Sequence, residues 1–423
     1  MNVGKKFVLK TLGCKTNAIE GQIIASALLE AGFSQVEDFS GADIFILNSC
    51  SVTSHSDSQS AYLLNRAKRE NPLIKNILTG CVAQTIDMHK GFELENVDLI
   101  LGNNEKLDIE KYLFKEEKKC VGDIFALEKF NHKTVQNPHQ TRVSIKIQEG
   151  CNNRCSYCII PYARGNSRSN SVENILEQIE LLAKNGTKEA VLTGIHIGQW
   201  GLERGLELVD LLYEIEKSPI ARFRLGSLYV NEIDGKLLEF LKVSKKFCPH
   251  FHLSLQSLCD KTLCNMNRNY TSTEALEIME KLYNSFDEPF LGCDIIAGFP
   301  GESDEDFEIT YKNLLSSKIS YIHAFPYSKR ENTPAAKMKE QICDTVKTRR
   351  TQRLIELSKD KHNAFLERNK NKTHELLFER KSPKTGAYSA VTRNYIKVFI
   401  KDERDNLRNT LKAVDMCTFD KLY

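Results

Sequence analysis

The sequence predicts an α/β protein in three parts. These are an N-terminal open parallel-sheet domain (residues 1–135), a central partial (βα)6 barrel (136–345), and a linking helix with a small all-β module (346–423). Three observations predict this. Short apolar runs alternate with helical patterns up to about residue 345, which implies parallel sheets with right-handed crossovers. Six such units follow Thr141, too few to close an eight-stranded barrel. Beyond them the alternation gives way to short strands separated by turn signals.

In the first part, Phe7-Val8-Leu9-Lys10 is a strand candidate that ends in Thr11-Leu12-Gly13-Cys14. The apolar positions Ile19, Ile23, Ile24, Ala27 and Leu28 then recur at helical spacing, with Gly32 as a C-cap. Asp43–Leu47 is a second strand, ending in Asn48-Ser49-Cys50. A helix over Ser58–Glu70 is stopped by Asn71-Pro72, and a third strand, Ile74–Leu78, ends in Thr79-Gly80-Cys81. Residues 103–140 are polar and read as a terminal helix and linker. The barrel strands are expected at Val143–Gln148, Ala190–Thr193, Arg222–Leu225, His250–Leu255, Cys293–Ile296 and Tyr321–Phe325. Helices are expected at Val172–Lys184, Leu206–Lys217, Gly235–Val243, Ser272–Asn284 and Asp304–Ser317, the fourth opened by a Thr271/Glu274 capping box. Thr345–Asn369 is a charged amphipathic helix. The last strands are His374–Glu379, Ser389–Thr392, Tyr395–Lys401 and Lys412–Val414.

With 41% hydrophobic and 27% charged residues in 423, the chain has ample material for folded cores, which excludes disordered and collagen-like classes. No apolar run is long enough for a membrane span. The first ten residues lack the apolar stretch of a secretion signal, so a cytoplasmic protein is expected. Residues 361–423 carry a net charge of +6 against −3 for the remainder, which reads either as a polyanion-binding appendage or as a solvated basic face. Thirteen cysteines, an odd number scattered through a large chain, point to metal or redox chemistry rather than disulfides.

Cys14, Cys50 and Cys81 each follow the C-terminal end of a predicted strand, the edge where open parallel sheets bind ligands. Any one of them alone would read as a small buried hydrophobe; three in equivalent places read as one shared ligand set. The strongest local signal is Glu149-Gly150-Cys151-Asn152-Asn153-Arg154-Cys155-Ser156-Tyr157-Cys158, a C-x3-C-x2-C loop directly after the first barrel strand. Structural zinc usually asks for a fourth ligand in paired spacing, and no partner motif follows. Three thiolates on an iron–sulfur cube leave one iron open for an exogenous ligand.

At this loop the chain resembles the radical S-adenosylmethionine superfamily. By that resemblance Cys151, Cys155 and Cys158 hold a 4Fe–4S cluster whose open iron binds S-adenosylmethionine, and reductive cleavage yields a 5′-deoxyadenosyl radical that the barrel shields from water. Further segments narrow the resemblance to the methylthiotransferases. They are Thr11–Glu20, Asn48–Thr53, Gly80-Cys81-Val82-Ala83-Gln84, Cys158–Gly165, Ser254-Leu255-Gln256-Ser257, Met266–Thr271, Asp294–Glu302 and Phe325-Pro326-Tyr327-Ser328. The resemblance places a second 4Fe–4S cluster on Cys14, Cys50 and Cys81. It implies replacement of a C–H bond by C–S–CH3, with one S-adenosylmethionine giving the methyl group and another the radical.

Thr11–Lys15, Thr193–Gly198 and Tyr162–Gly165 look most like the enzymes acting on N6-threonylcarbamoyladenosine beside the tRNA anticodon. Isopentenyladenosine of tRNA and an aspartate of a ribosomal protein are the alternative family substrates. The C-terminal module resembles a TRAM domain, whose RNA-binding role its basic charge suits. The implied partners are tRNA, S-adenosylmethionine and an electron donor such as flavodoxin or ferredoxin. A different class, an iron–sulfur or zinc RNA-binding protein without radical chemistry, would hold at most one metal site.

Departures from the family pattern include Ser49 for the commoner Thr, Gly21 for Ser, and Thr193-Gly194-Ile195 where many radical enzymes have Gly-Gly-Glu. Only the backbone of Gly194 therefore carries over for the cofactor's amino group. Tyr157, Gln256, Asp294 and Arg168 are expected near the cofactor, and Arg164, Arg393 and Lys397 near substrate; packing roles or surface ion pairs are the alternatives for several of these. His196 reads as an ordinary loop histidine. Cys120, Cys248, Cys259, Cys264, Cys293, Cys343 and Cys417 read as ordinary thiols.

Overall fold

The computed structural model describes residues 4–88, 96–134, 140–401, 406–419 and 422–423. The first part is a six-stranded, all-parallel sheet of β1 (Lys6–Thr11), β2 (Ser34–Gln35), β3 (Ile44–Ser49), β4 (Lys75–Gly80), β5 (Leu99–Leu101) and β6 (Lys119–Cys120), in the order β2-β1-β3-β4-β5-β6. The central strand β3 is buried along its whole length, as its unbroken Ile-Phe-Ile-Leu run requires of a parallel strand covered on both faces. Helix α1 (Lys15–Glu30) closes one face with Ile24 and Leu28 over Phe7 and Ile46. Helix α2 (Ser54–Glu70) closes the other with Leu64 and Ala67 over Val8 and Leu47. It starts where Thr53 accepts a hydrogen bond from the Ser56 amide. The four-residue α3 (Cys81–Gln84) follows β4 directly.

The polar stretch after residue 103 differs from the expected helix and linker. It forms 3-10 turns over Glu105–Lys111, kinked at Asp108, and then the edge strand β6. The reason is tertiary: Lys106 is fully buried on Glu20 of α1, so this segment follows the ion pair instead of a 3.6-residue stripe. Residues 135–139, part of the expected linker, lie outside the described residues.

Of the barrel, β7 (Arg142–Lys146), β10 (Glu189–Thr193) and β11 (Arg222–Leu225) form one parallel sheet. Past Gly226 the chain continues into β12 (Ser227–Leu228), which pairs in parallel with β13 (His250–Gln256), then β14 (Phe290–Ala297) and β15 (Tyr321–Pro326). Six parallel positions thus make an open barrel, within a residue or a few of the expected bounds. The short β8 (Gln148–Glu149) and β9 (Arg168–Ser169) pair antiparallel and bracket the cysteine loop, with α4 (Ile160–Arg164) inside it. Outer helices α5 (Val172–Lys184), α6 (Leu208–Lys217), α7 (Gly235–Val243), α8 (Asp260–Asn265), α9 (Ser272–Ser285) and α10 (Asp304–Ser316) wall the barrel core. The Thr271/Glu274 capping box is formed.

Helix α11 (Asp344–Asn369) packs along β15 and leads to an antiparallel sheet of β16 (Thr373–Lys381), β17 (Ala387–Thr392), β18 (Lys397–Lys401) and β19 (Leu411–Asp415), in the order β18-β17-β16-β19. This sheet meets the N-terminal ends of the barrel strands. Arg142 pairs with Glu379, and Arg222 and Arg224 donate to the carbonyls of Val391, Thr392 and Arg393. Among the described residues no helix is long and apolar enough to cross a membrane.

Candidate active site

The adjacent strands β1, β3 and β4 deliver Cys14, Cys50 and Cys81 to one edge. Gly13, at φ +92°, lies so close that a Cβ there would stand 2.6 Å from the Cβ and Sγ of Cys50. Gly80, also at +92°, would meet the Ser49 carbonyl at 2.3 Å, so only glycine fits between the second and third loops. Asn17 ties the first two loops through its Nδ2, donating to the carbonyls of Leu12 (2.8 Å) and Ser49 (2.7 Å). The Ser49 hydroxyl ties the second to the third, donating to Thr79 O and accepting from Val82 N. That hydroxyl is what the Ser-for-Thr departure retains. Burial, then the proximity of Cys81 and Cys14, pushes the Cys50 thiol up to about 11. Thiols crowded in this way are acidified by a bound metal centre. Among the described residues no three His, Cys, Asp or Glu side chains stand close enough to hold a single metal ion. Three thiols gathered at one sheet edge are the soft donor set that an iron–sulfur cluster takes.

Cys151, Cys155 and Cys158 fold into a loop closed by Cys151 N–Gly165 O (3.0 Å) and Cys158 N–Cys155 O (3.0 Å). Donors surround their sulfurs. His196 Nδ1 lies 3.3 Å from Cys151 Sγ, Arg268 Nη1 3.5 Å from Cys155 Sγ, and the Ile160 amide 3.4 Å from Cys158 Sγ. The Tyr229 hydroxyl is 3.9 Å from Cys155 Sγ, and its ring carries the Arg268 guanidinium at 3.8 Å and stacks on His196 at 4.1 Å. Glu232 holds the other nitrogen of His196. Burial disfavours a charged imidazole, but Cys151 and Glu232 together lift His196 to about 9. Burial, then Cys155 and Cys151, pushes the Cys158 thiol to about 12. N–H donors aimed at clustered thiols are what a bound iron–sulfur centre uses to tune its potential.

A cavity of about 840 Å³ is lined among others by Cys14 of the first set, by Tyr157 between Cys155 and Cys158 of the second, and by Gly194, Gln256 and Asp294, and it reaches Lys397 of the C-terminal sheet. Gly194 presses on Gln148, whose carbonyl would meet a Cβ at 2.9 Å. Gln256 has φ +66° where β13 slips register against β14, which turns it into the cavity. Tyr157 packs edge-on against Phe299 at 6.5 Å. Asp294 is held between His252 Nε2 (3.0 Å) and His323 Nδ1 (3.3 Å). Although burial opposes it, those hydrogen bonds bring its carboxyl down to about 2.

Three arginines stand elsewhere than expected. Arg164 is 1% exposed and spent on Glu20 (2.6 Å), Asn17 (2.5 Å) and Glu149, in a buried network that also holds Lys106 and Lys146 and joins the sheet domain to the barrel. It is therefore not presented to a substrate. Arg168 donates to the carbonyls of Asn166 and Arg164 and does not line the cavity. Arg393 donates to the carbonyls of Lys245 and Phe247, fastening the C-terminal sheet to the barrel. Sequence reasoning left His196 as a loop residue and gave no role to Tyr229, Glu232, Arg268, His252 or His323. The one signal for these was the Met266–Thr271 segment, which contains Arg268.

A model of the radical SAM superfamily matches residues 145–314, and one described as uncharacterized protein family UPF0004 matches residues 6–102. The chain is 39% identical over 374 residues to the threonylcarbamoyladenosine tRNA methylthiotransferase MtaB of Aquifex aeolicus, covering 87% of this chain and 91% of that one. It is 34% identical to the protein of the same name in Bacillus subtilis, with 95% and 92% covered. To the tRNA-2-methylthio-N(6)-dimethylallyladenosine synthase of Acetivibrio thermocellus it is 30% identical, with 86% and 80% covered. Among solved structures, the radical S-adenosylmethionine methyltransferase TsrM of Kitasatospora setae matches with a TM-score of 0.56 at 12% identity, over 78% of this chain and 77% of that one, a likeness of fold alone.

Proposed function

The chain belongs to the radical S-adenosylmethionine tRNA methylthiotransferase family, and within it we propose that the substrate is N6-threonylcarbamoyladenosine beside the tRNA anticodon, converted to its 2-methylthio derivative. The observation that carries this reading is a cavity lined both by Cys14 and by Tyr157 of the second cysteine loop, since sulfur insertion needs both centres to face one substrate carbon. Relatives named for the threonylcarbamoyl substrate at 34–39% identity favour it over the isopentenyl alternative.

With clusters bound on Cys14, Cys50 and Cys81 and on Cys151, Cys155 and Cys158, the enzyme has the radical chemistry and the sulfur carrier the reaction requires. The chain's own side chains do the rest. His196, Arg268 and Tyr229 present N–H and O–H groups to the thiolates and balance their charge in a buried setting. The Gly194 backbone and Gln256 line the rim where the cofactor's polar groups dock, and Tyr157 covers it from the loop. The walls of the lumen screen reactive carbon centres from bulk water. Lys397 and the basic C-terminal sheet meet the phosphate backbone. A flavodoxin- or ferredoxin-class protein supplies electrons, and the setting is the cytoplasm.

The test is mass spectrometry of nucleosides after reconstituted enzyme, reductant and S-adenosylmethionine act on tRNA bearing the threonylcarbamoyl group. The 2-methylthio derivative is expected. Product only on isopentenyladenosine tRNA, or only on a ribosomal protein, would overturn the substrate assignment.

A further inference from the structure

Resting on the threonylcarbamoyl reading, we propose that His252, Asp294 and His323 form the subsite that takes the polar substituent on the substrate base. Three neighbouring strands line the lumen in layers. Asp294 sits opposite His323 in the β14–β15 register, and His252 sits opposite Gly292 in the β13–β14 register. Toward the C-terminal strand ends the layer above holds Gln256, Ile296 and Phe325. Below lie the rings of His250, Phe290 and Tyr321. The middle layer is therefore a polar belt between a mostly apolar rim and an aromatic floor. Gly292 makes room for it: a Cβ there would stand 3.2 Å from His252 Nδ1.

The belt asks for a hydrogen-bonding ligand. Both imidazoles close on one oxygen of Asp294, Oδ1, at 3.0 and 3.3 Å. Oδ2 takes neither of these contacts, and Asp294 lines the lumen. His323, with half its side chain exposed, offers its other nitrogen beside it. A ureido N–H or a hydroxyl satisfies that pair, and Lys15, which lines the same cavity from the start of α1, offers a cation to a carboxylate. An isopentenyl group has no donor and would strand a desolvated carboxylate, which is how a site built for hydrogen bonding rejects an apolar analogue. The subsite thus admits a hydroxy-amino-acid carbonyl substituent and refuses a prenyl one.

Anticodon stem–loops carrying either substituent, offered to the wild-type enzyme and to Asp294→Asn and His323→Leu, test this. Both variants are expected to lower kcat/KM for the threonylcarbamoyl RNA about ten- to hundred-fold, moving selectivity toward the isopentenyl RNA. The change that S-adenosylmethionine induces in the EPR signal of the reduced cluster should persist. Undiminished turnover of the threonylcarbamoyl RNA by both folded variants overturns the subsite. So does loss of the EPR response, which would return Asp294 to the cofactor pocket. His323→Leu alters a half-exposed ring and keeps the test open if Asp294→Asn fails to fold. A wild-type enzyme that ignores the threonylcarbamoyl RNA overturns the substrate reading itself, a separate result.

Discussion

The two cysteine sets are held in opposite ways. Cys14, Cys50 and Cys81 come from three strand ends far apart in sequence, and backbone-directed bonds from Asn17 and Ser49 lock their loops together. Cys151, Cys155 and Cys158 come from one short loop, and side chains from later barrel strands and loops, His196, Tyr229 and Arg268, close on their sulfurs. The first arrangement relies on the sheet for its geometry, and the second on the barrel for its electrostatics. Between them lies the buried network of Glu20, Lys106, Lys146, Glu149 and Arg164, which fixes one set relative to the other. The two cysteine sets are thus tied to each other by an ionic joint between two folds.

The sharpest way to break the comparison is to remove one thiol from each set. Cys155→Ala is expected to abolish 5′-deoxyadenosine formation. Cys50→Ala is expected to retain it while ending sulfur insertion, with both products read by mass spectrometry. If both reactions survive Cys50→Ala, the strand-end cysteines have no part in sulfur transfer. Next in size is the joint. Arg164→Gln leaves Glu20 short of a buried partner and should cost about 3–5 kcal/mol in denaturant unfolding, with methylthiolation falling further than S-adenosylmethionine cleavage.

A second buried network, at the other end of the barrel, is the control. Burial raises the Glu189 carboxyl, but Arg224, Arg222 and Arg142 hold it below its ordinary 4.5. A depressed carboxyl contributes stability above its unfolded pKa and loses it as pH falls through the folded value. The wild type should therefore weaken below about pH 4.5 by a term that Glu189→Gln lacks, with iron content unchanged at neutral pH. The smallest effect expected is from Asn17→Ala. It frees the carbonyls of Leu12 and Ser49 and the Arg164 N–H that its Oδ1 accepts, at about 1–3 kcal/mol, and iron should leave the strand-end set before the loop set.

The local elements were largely legible. The β13, β14 and β15 strands, the α5 and α7 helices and the capping box at Thr271 follow from periodicity and turn chemistry that operate within a few residues. So did the gathering of Cys14, Cys50 and Cys81, because parallel strands share an edge. What could not be read was partnership at distance. Arg164 follows the cysteine loop and reads as a ligand-facing cation until Glu20, 144 residues away, is placed against it. Lys106 sits in a polar stretch that reads as surface, yet it is fully buried. His196 shows no pattern beyond a loop after a strand. Its role comes from a β8–β9 excursion that brings Cys151 within 3.3 Å. The Asp294 belt was half visible, as a carboxylate on a barrel strand. The two histidines that orient it arrive from neighbouring strands, where only register reveals them.

The most direct measurement is iron and acid-labile sulfide per chain after anaerobic reconstitution, for the wild type and for the variant with Cys151, Cys155 and Cys158 all replaced by alanine. Two independently held 4Fe–4S cubes predict about eight irons falling to about four. Four falling to none, or zinc in place of iron, would contradict a two-centre enzyme.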